Sequence, residues 1–176
     1  FTPDGKTMYF TRCTHDPNYP RYATIMSSSR SDASWSKAQE IELSNDTLSS
    51  FAYPAVSPDG KWLYFSSDMP GGAGGMDLWK VSIGDNGQGT PENLGPQVNT
   101  YGDEVFPTFR PNGELYFSSD GHPGMGGLDL FMAKQDSAGH WTLKNLGYPM
   151  NSAGDDFGMT FEGLHNRGFF STNRGN

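Results

Sequence analysis

The string LYFSSD stands at Leu63 to Asp68 and again at Leu115 to Asp120. Each copy sits in a longer match, SPDGKWLYFSSDMPGGAGGMDLWK (Ser57 to Lys80) against RPNGELYFSSDGHPGMGGLDLFMAK (Arg110 to Lys134). Phe65 to Phe117, Asp77 to Asp129, Leu94 to Leu146 and Asp103 to Asp155 are all 52 residues apart. Weaker copies flank the pair: FTPDGKTMYFTR, with Phe10 55 residues before Phe65, and GFFSTNRG, with Phe170 53 residues after Phe117. A period of fifty-odd residues that keeps its turns in register marks a repeat architecture.

Within one repeat, Ser57-Pro58-Asp59-Gly60 is a tight-turn sequence. Pro presets φ at the first central position, Asp tolerates the next, and Gly supplies the positive φ that closes a hairpin. Pro3, Asp4 and Gly5 repeat this turn in the first copy, and Pro111, Asn112 and Gly113 in the third. The expected strands are Tyr53 to Val56, Lys61 to Ser67, Asp77 to Ile83 and Glu92 to Gly95. A glycine-rich loop (Asp68 to Gly75) and a polar turn (Gly84 to Gly89) separate the later ones. Trp62 and Tyr64 alternate with Leu63 and Phe65, so the second strand is apolar on both faces and should be covered on both. In the first repeat Ala23 to Ser27 takes the third-strand place; in the last, Glu162 to Gly168 replaces the tight turn with a longer or irregular hairpin.

These features predict an all-β chain, a β-propeller of four-stranded antiparallel blades. The expected repeats cover 1–48, 49–101, 102–153 and 154–176, about three to three and a half blades. No segment carries the apolar stripe of period 3.6 that an α-solenoid needs. Propellers close with roughly four to eight blades, so the expectation is part of a larger propeller whose ends further sequence or a partner covers.

Net charge is −8, with 12 Lys and Arg against 20 Asp and Glu. The scattered bases argue against nucleic-acid binding, which needs clustered positive charge. A single cysteine, Cys13, excludes an internal disulfide. No run of 18 apolar residues suggests membrane insertion.

The signature SPDGKWLYFSS…GGMDLWKV, with TPDGKTMYFT and RPNGELYFSS…GGLDLFMA, resembles the WD40-like propeller repeat of the TolB type over nearly the whole chain. The phrase NLG..(V/M)N(T/S)..D(E/D), at Asn93 to Glu104 and Asn145 to Asp156, is similar to propellers of OmpA-family periplasmic proteins of Bacteroidetes-type bacteria. That resemblance implies an outer-membrane-associated periplasmic protein that binds peptidoglycan through a separate domain. It also implies other envelope proteins as partners, with type IX secretion as one setting.

The loops between second and third strands and the links between repeats should emerge on one face. That face would gather Asp68, Asp77, Asp103, Glu104, Asp120, Asp129, Asp155 and Asp156. Such carboxylates suit a cation or a basic partner, but recurrence once per repeat favours hydrogen bonding to backbone N–H groups in the glycine-rich loops. Asp120, His122 and Asp129 are the weak candidates for a metal, and no metal or cofactor is expected. Asp103/Glu104 and Asp155/Asp156 are adjacent on extended chain, so each pair points two ways and makes no acid/base dyad. The glycine runs lack a following Lys-Ser/Thr, and there is no G-x-S-x-G elbow. His15, His122, His140 and His165 are dispersed, and Cys13 is read as a passive thiol. Tyr101, Tyr148 and Phe157 are the aromatic binding candidates. The binding-face set is therefore Asp68, Tyr101, Asp103, Glu104, Asp120, His122, Tyr148, Asp155, Asp156 and Phe157. The expected function is a non-catalytic scaffold. The alternatives are the substrate-gating propeller of a prolyl-oligopeptidase-like peptidase and a glycan-binding propeller.

Overall fold

A computed structural model describes residues 1–14, 22–84, 89–163 and 165–175; His15 and the middle of the Gly84–Gly89 turn lie outside them. At Ser57-Pro58-Asp59-Gly60 the Asp59 carboxylate accepts from the Ser57 hydroxyl (2.6 Å) and the Lys61 N–H (3.1 Å). The Gly60 N–H closes onto the Ser57 carbonyl at 2.9 Å, with φ 72° at Gly60. Asp4 repeats this with Thr2 and Lys6, and Asn112 accepts from the Glu114 N–H at 3.2 Å. The turn residues thus set strand direction by local hydrogen bonds before any tertiary packing. Between Phe161 and Gly168 the hairpin is longer, pinned by Glu162 N–H to the Arg167 carbonyl at 2.9 Å.

Among the described residues the chain is all-β, in antiparallel sheets. Sheet I holds β1 (Thr7–Thr14), β2 (Tyr22–Ser31), β3 (Ser34–Trp35) and β4 (Gln39–Glu40), with β3 and β4 both on β2. Sheet II runs β5 (Phe51–Val56), β6 (Trp62–Ser67), β7 (Asp77–Ser82), β8 (Glu92–Asn93) in spatial order. Sheet III repeats it with β9 (Glu104–Phe109), β10 (Leu115–Ser119), β11 (Asp129–Gln135) and β12 (Trp141–Asn145). Sheet IV pairs β13 (Asp156–Phe161) with β14 (Gly168–Thr172).

The sheets stack face to face. β5 lies on β1 and β2, β9 on β5 to β7, and β13 on β9 to β11, while no described strand of sheet IV touches sheet I. The stack is therefore open. Alternation along β6 divides its side chains between two cores. Leu63 and Phe65 join Ile25, Ile41, Phe51, Trp79 and Val81 between sheets I and II. Tyr64 joins Leu78, Leu115, Phe117 and Phe131 between sheets II and III. Leu63, Phe65, Leu115 and Phe117 are almost wholly buried, each worth about 1.5–3 kcal/mol of transfer free energy. A T-shaped aromatic pair recurs at successive interfaces, Tyr64 on Phe109 (4.8 Å) and Tyr116 on Phe161 (4.7 Å).

Candidate functional site: the loop face

At one end of the stack the 68–76 and 120–128 loops meet the links that lead into β9 and β13. Asp77, the first residue of β7, turns its Oδ2 back into the glycine-rich loop and accepts from the Ala73 N–H (2.5 Å) and the Asn93 amide (2.8 Å). Asp129 does the same for the N–H groups of Met125 (2.6 Å) and Gly126 (2.9 Å). A second layer ties sheet to sheet. The Asp103 Oδ1 accepts from the Met76 N–H at the end of the loop before β7 at 2.7 Å, and its own N–H donates to Asp120 at 2.7 Å. One repeat later, Asp155 accepts from Leu128 N–H (3.0 Å) and donates to Asn173 (2.7 Å). Asp68 completes the series by accepting from Ser50 N–H at 2.7 Å. The glycines make room for these contacts. A Cβ on Gly75 would strike Asp103, one on Gly127 would strike Asp155, and one on Gly74 or Gly126 would enter the backbone of the next link.

Glu104 and Asp156 were expected on the binding face, but both are completely buried. They begin β9 and β13 and point inward, where each closes a turn. Glu104 accepts from the Thr100 N–H (2.8 Å) and hydroxyl (2.7 Å) and from Ser119 (2.6 Å). Asp156 accepts from the Ser152 N–H and hydroxyl and from the Arg174 guanidinium at 2.5 Å. Burial pushes the Asp156 carboxyl up, but hydrogen bonds from Thr172, Arg174 and Ser152 outweigh it and hold it below the usual carboxylate range. Phe157, expected as a binding-face aromatic, lies in β13 and stacks on Phe106 at 5.3 Å, which in turn meets Tyr53 at 4.2 Å. Tyr53 and Phe106 sit at β-bulges with φ of 55° and 56°, a backbone state that costs an aromatic residue on the order of 1–3 kcal/mol.

The three metal candidates serve separate contacts. Asp120 receives the Asp103 N–H, Asp129 holds its own loop, and a His122 ring nitrogen lies 2.7 Å from the Val98 carbonyl oxygen. Among the described residues no three His, Cys, Asp or Glu side chains gather as ligands. Arg174 is the sheet IV counterpart of His122: it donates to the carbonyls of Pro149 and Met150 and lies over Phe170 as His122 lies against Phe117.

Sequence reasoning missed Asn99 and Asn151. Each lies deep in the core, accepts from the N–H of Leu78 or Leu130 at 2.8 Å, and donates back to the carbonyl of the same residue. Their recurrence within the NLG phrase was visible, but only as a marker of likeness. The large apolar side chains exposed in these loops and links are Tyr101 and Leu48, each 83 % exposed, Tyr148 at 81 % and Met125 at 50 %. Among the described residues the other large exposed apolar side chains are Phe1, which precedes β1, and Trp35 and Phe169 of the end sheets.

No protein-family model matches this sequence, and no curated protein matches it. The fold is similar to a solved structure of a puromycin-hydrolyzing peptidase from Mycobacterium tuberculosis, with a TM-score of 0.59 and 16 % identity over 92 % of this chain. The chain spans 23 % of that protein's length.

Proposed function

We propose that the stacked sheets are blades of a β-propeller and that the loop face docks a protein partner, making the chain a non-catalytic scaffold. The single observation that carries this reading is the division of labour on that face. The recurrent carboxylates Asp77, Asp103, Asp129 and Asp155 each accept backbone N–H groups through one oxygen, while Leu48, Tyr101, Met125 and Tyr148 stand exposed as apolar anchors. Exposed aromatics on a rigid frame are the common anchors of protein interfaces. The resemblance of the repeat supports a periplasmic, outer-membrane-associated setting, with peptidoglycan held by a separate domain and a type IX secretion assembly as one home. Replacing Tyr101→Ser and Tyr148→Ser together should reduce quantified co-purification of envelope partners about tenfold or more. Thermal stability should stay unchanged, because both side chains are exposed. Undiminished recovery would place docking elsewhere.

A second reading is favoured by the structural likeness to a peptidase: the sheets gate substrate entry to a hydrolase domain on the same polypeptide. Hydrolysis of puromycin or a similar aminoacyl amide by that polypeptide, with no stable envelope partner, would replace the scaffold reading.

A further inference from the structure

The two ends of the sheet stack differ in charge. On the loop face the five connecting segments, 41–50, 68–76, 94–103, 120–128 and 146–155, hold six carboxylates: Glu42, Asp46, Asp68, Asp103, Asp120 and Asp155. They hold no lysine or arginine. Arg12, near the end of β1, and Arg174, just past β14, are paired with Glu40 and Asp156. At the opposite end one base answers one acid in each hairpin turn: Lys6 and Asp4, Lys61 and Asp59, Arg110 and Glu114, Arg167 and Glu162. The apolar side chains of the loop face follow the repeat as well. Leu48, Tyr101 and Ala153 each stand three residues before the first strand of a sheet, β5, β9 or β13, and all three are exposed. Asp68 and Asp120 are exposed beside this crest. Through Oδ1 they accept the N–H groups of Ser50 and Asp103, each two residues beyond a crest residue.

A hard cation needs several oxygens converging on one point, and among the described residues no such group forms. The carboxylates are instead strung along an apolar crest, which suits an extended partner of opposite charge. A guanidinium or ammonium can lie on an exposed tyrosine ring while it pairs with a carboxylate at the ring's edge. We propose that the partner of the loop face is an extended protein segment in which arginine or lysine alternates with apolar side chains. Its apolar side chains rest on the crest of Leu48, Tyr101 and Ala153, and its cations meet Asp68, Asp103 and Asp120. The proposal rests on the docking reading given above and adds the chemistry of the partner to it.

The probe is a capped, fluorophore-tagged peptide of sequence RLRYRLR, titrated into the full-length polypeptide and followed by fluorescence anisotropy, with ELEYELE as its charge-reversed control. Saturable binding of the first and none of the second is expected. Asp68→Asn with Asp120→Asn removes two charges and keeps both Oδ1 acceptors, as Asn173 does where it accepts the Asp155 N–H. This pair should weaken RLRYRLR about threefold or more, the loss shrinking as salt rises. Asp4→Asn with Asp59→Asn removes two charges at the hairpin end, where Asn112 already holds the same turn, and should leave the affinity unchanged. Equal losses from the two pairs would overturn the proposal by assigning the binding to net charge, as would equal binding of ELEYELE or no saturable binding of RLRYRLR. If Tyr101→Ser with Tyr148→Ser abolishes binding while Asp68→Asn with Asp120→Asn leaves it unchanged, the docking surface stands and its basic partner falls. If neither pair changes it, the docking reading falls with it.

Discussion

Asn99 shows how much a single amide carries here. Its side chain is the partner of the Leu78 N–H in the core, whereas the Leu78 carbonyl also receives the Leu94 N–H. Asn99→Ala strands that one donor in the interior, and urea denaturation should show a loss of about 2 kcal/mol. Asp156 gives a pH signature. Because its folded pKa lies below the unfolded one, its contribution is fully present above the unfolded carboxylate value and disappears as pH falls through the depressed value. Stability measured from pH 5 downward should fall through the acid range. Arg174→Ala, which removes a hydrogen bond to the carboxylate, should move that fall to higher pH. The sequence showed that Asp155 and Asp156 point to opposite sides, since alternation on a strand requires it. Which of the two faces solvent was not legible, because it depends on the turn at Ser152 and on Arg174, 18 residues from Asp156.

At the scale of strands and loops, the glycine-rich segments are spacers that let neighbouring sheets touch. A methyl on Gly74 would enter the backbone of Tyr101, whereas one on Gly84 meets nothing within 4 Å among the described residues. Gly74→Ala should therefore cost about 1–3 kcal/mol or more in thermal unfolding, with Gly84→Ala close to neutral. The second strands report on sheet stacking through their tyrosines. Burial pushes the Tyr64 hydroxyl up to about 12. A raised folded pKa means that its stabilisation is complete below the unfolded value and is lost as pH rises through the folded one, so stability should drop between about pH 10 and 12. Phe109→Ala uncovers the ring and should bring the tyrosine titration down toward its ordinary value, read by ultraviolet difference absorbance. Strands with apolar alternation were legible to within a residue or two at their ends. β2 was not: Ala23 to Ser27 was expected and Tyr22–Ser31 forms. Its extension beyond Ser27 is the polar run Ser28 to Ser31, held by pairing with β1 and then β3 rather than by burial of an apolar face.

For the molecule as a whole, the 52-residue period foretold antiparallel four-stranded sheets, and sheets II and III have that form. The tie between sheets was less legible, because a repeat can be read locally while Asp103 to Met76 and Asp155 to Leu128 join residues 27 apart. These ties make the loop face a fixed surface, on which Tyr101 and Tyr148 present most of their area to solvent. The central claim is that this face, and not the body of the sheets, meets the partner. It is tested most directly by placing a photoreactive phenylalanine analogue at Tyr101, and separately at Trp35 on sheet I, in the protein within its native cells. Adducts to one defined protein from position 101, with none from position 35, are the predicted result. Adducts from position 35 alone, or from neither, would contradict the account.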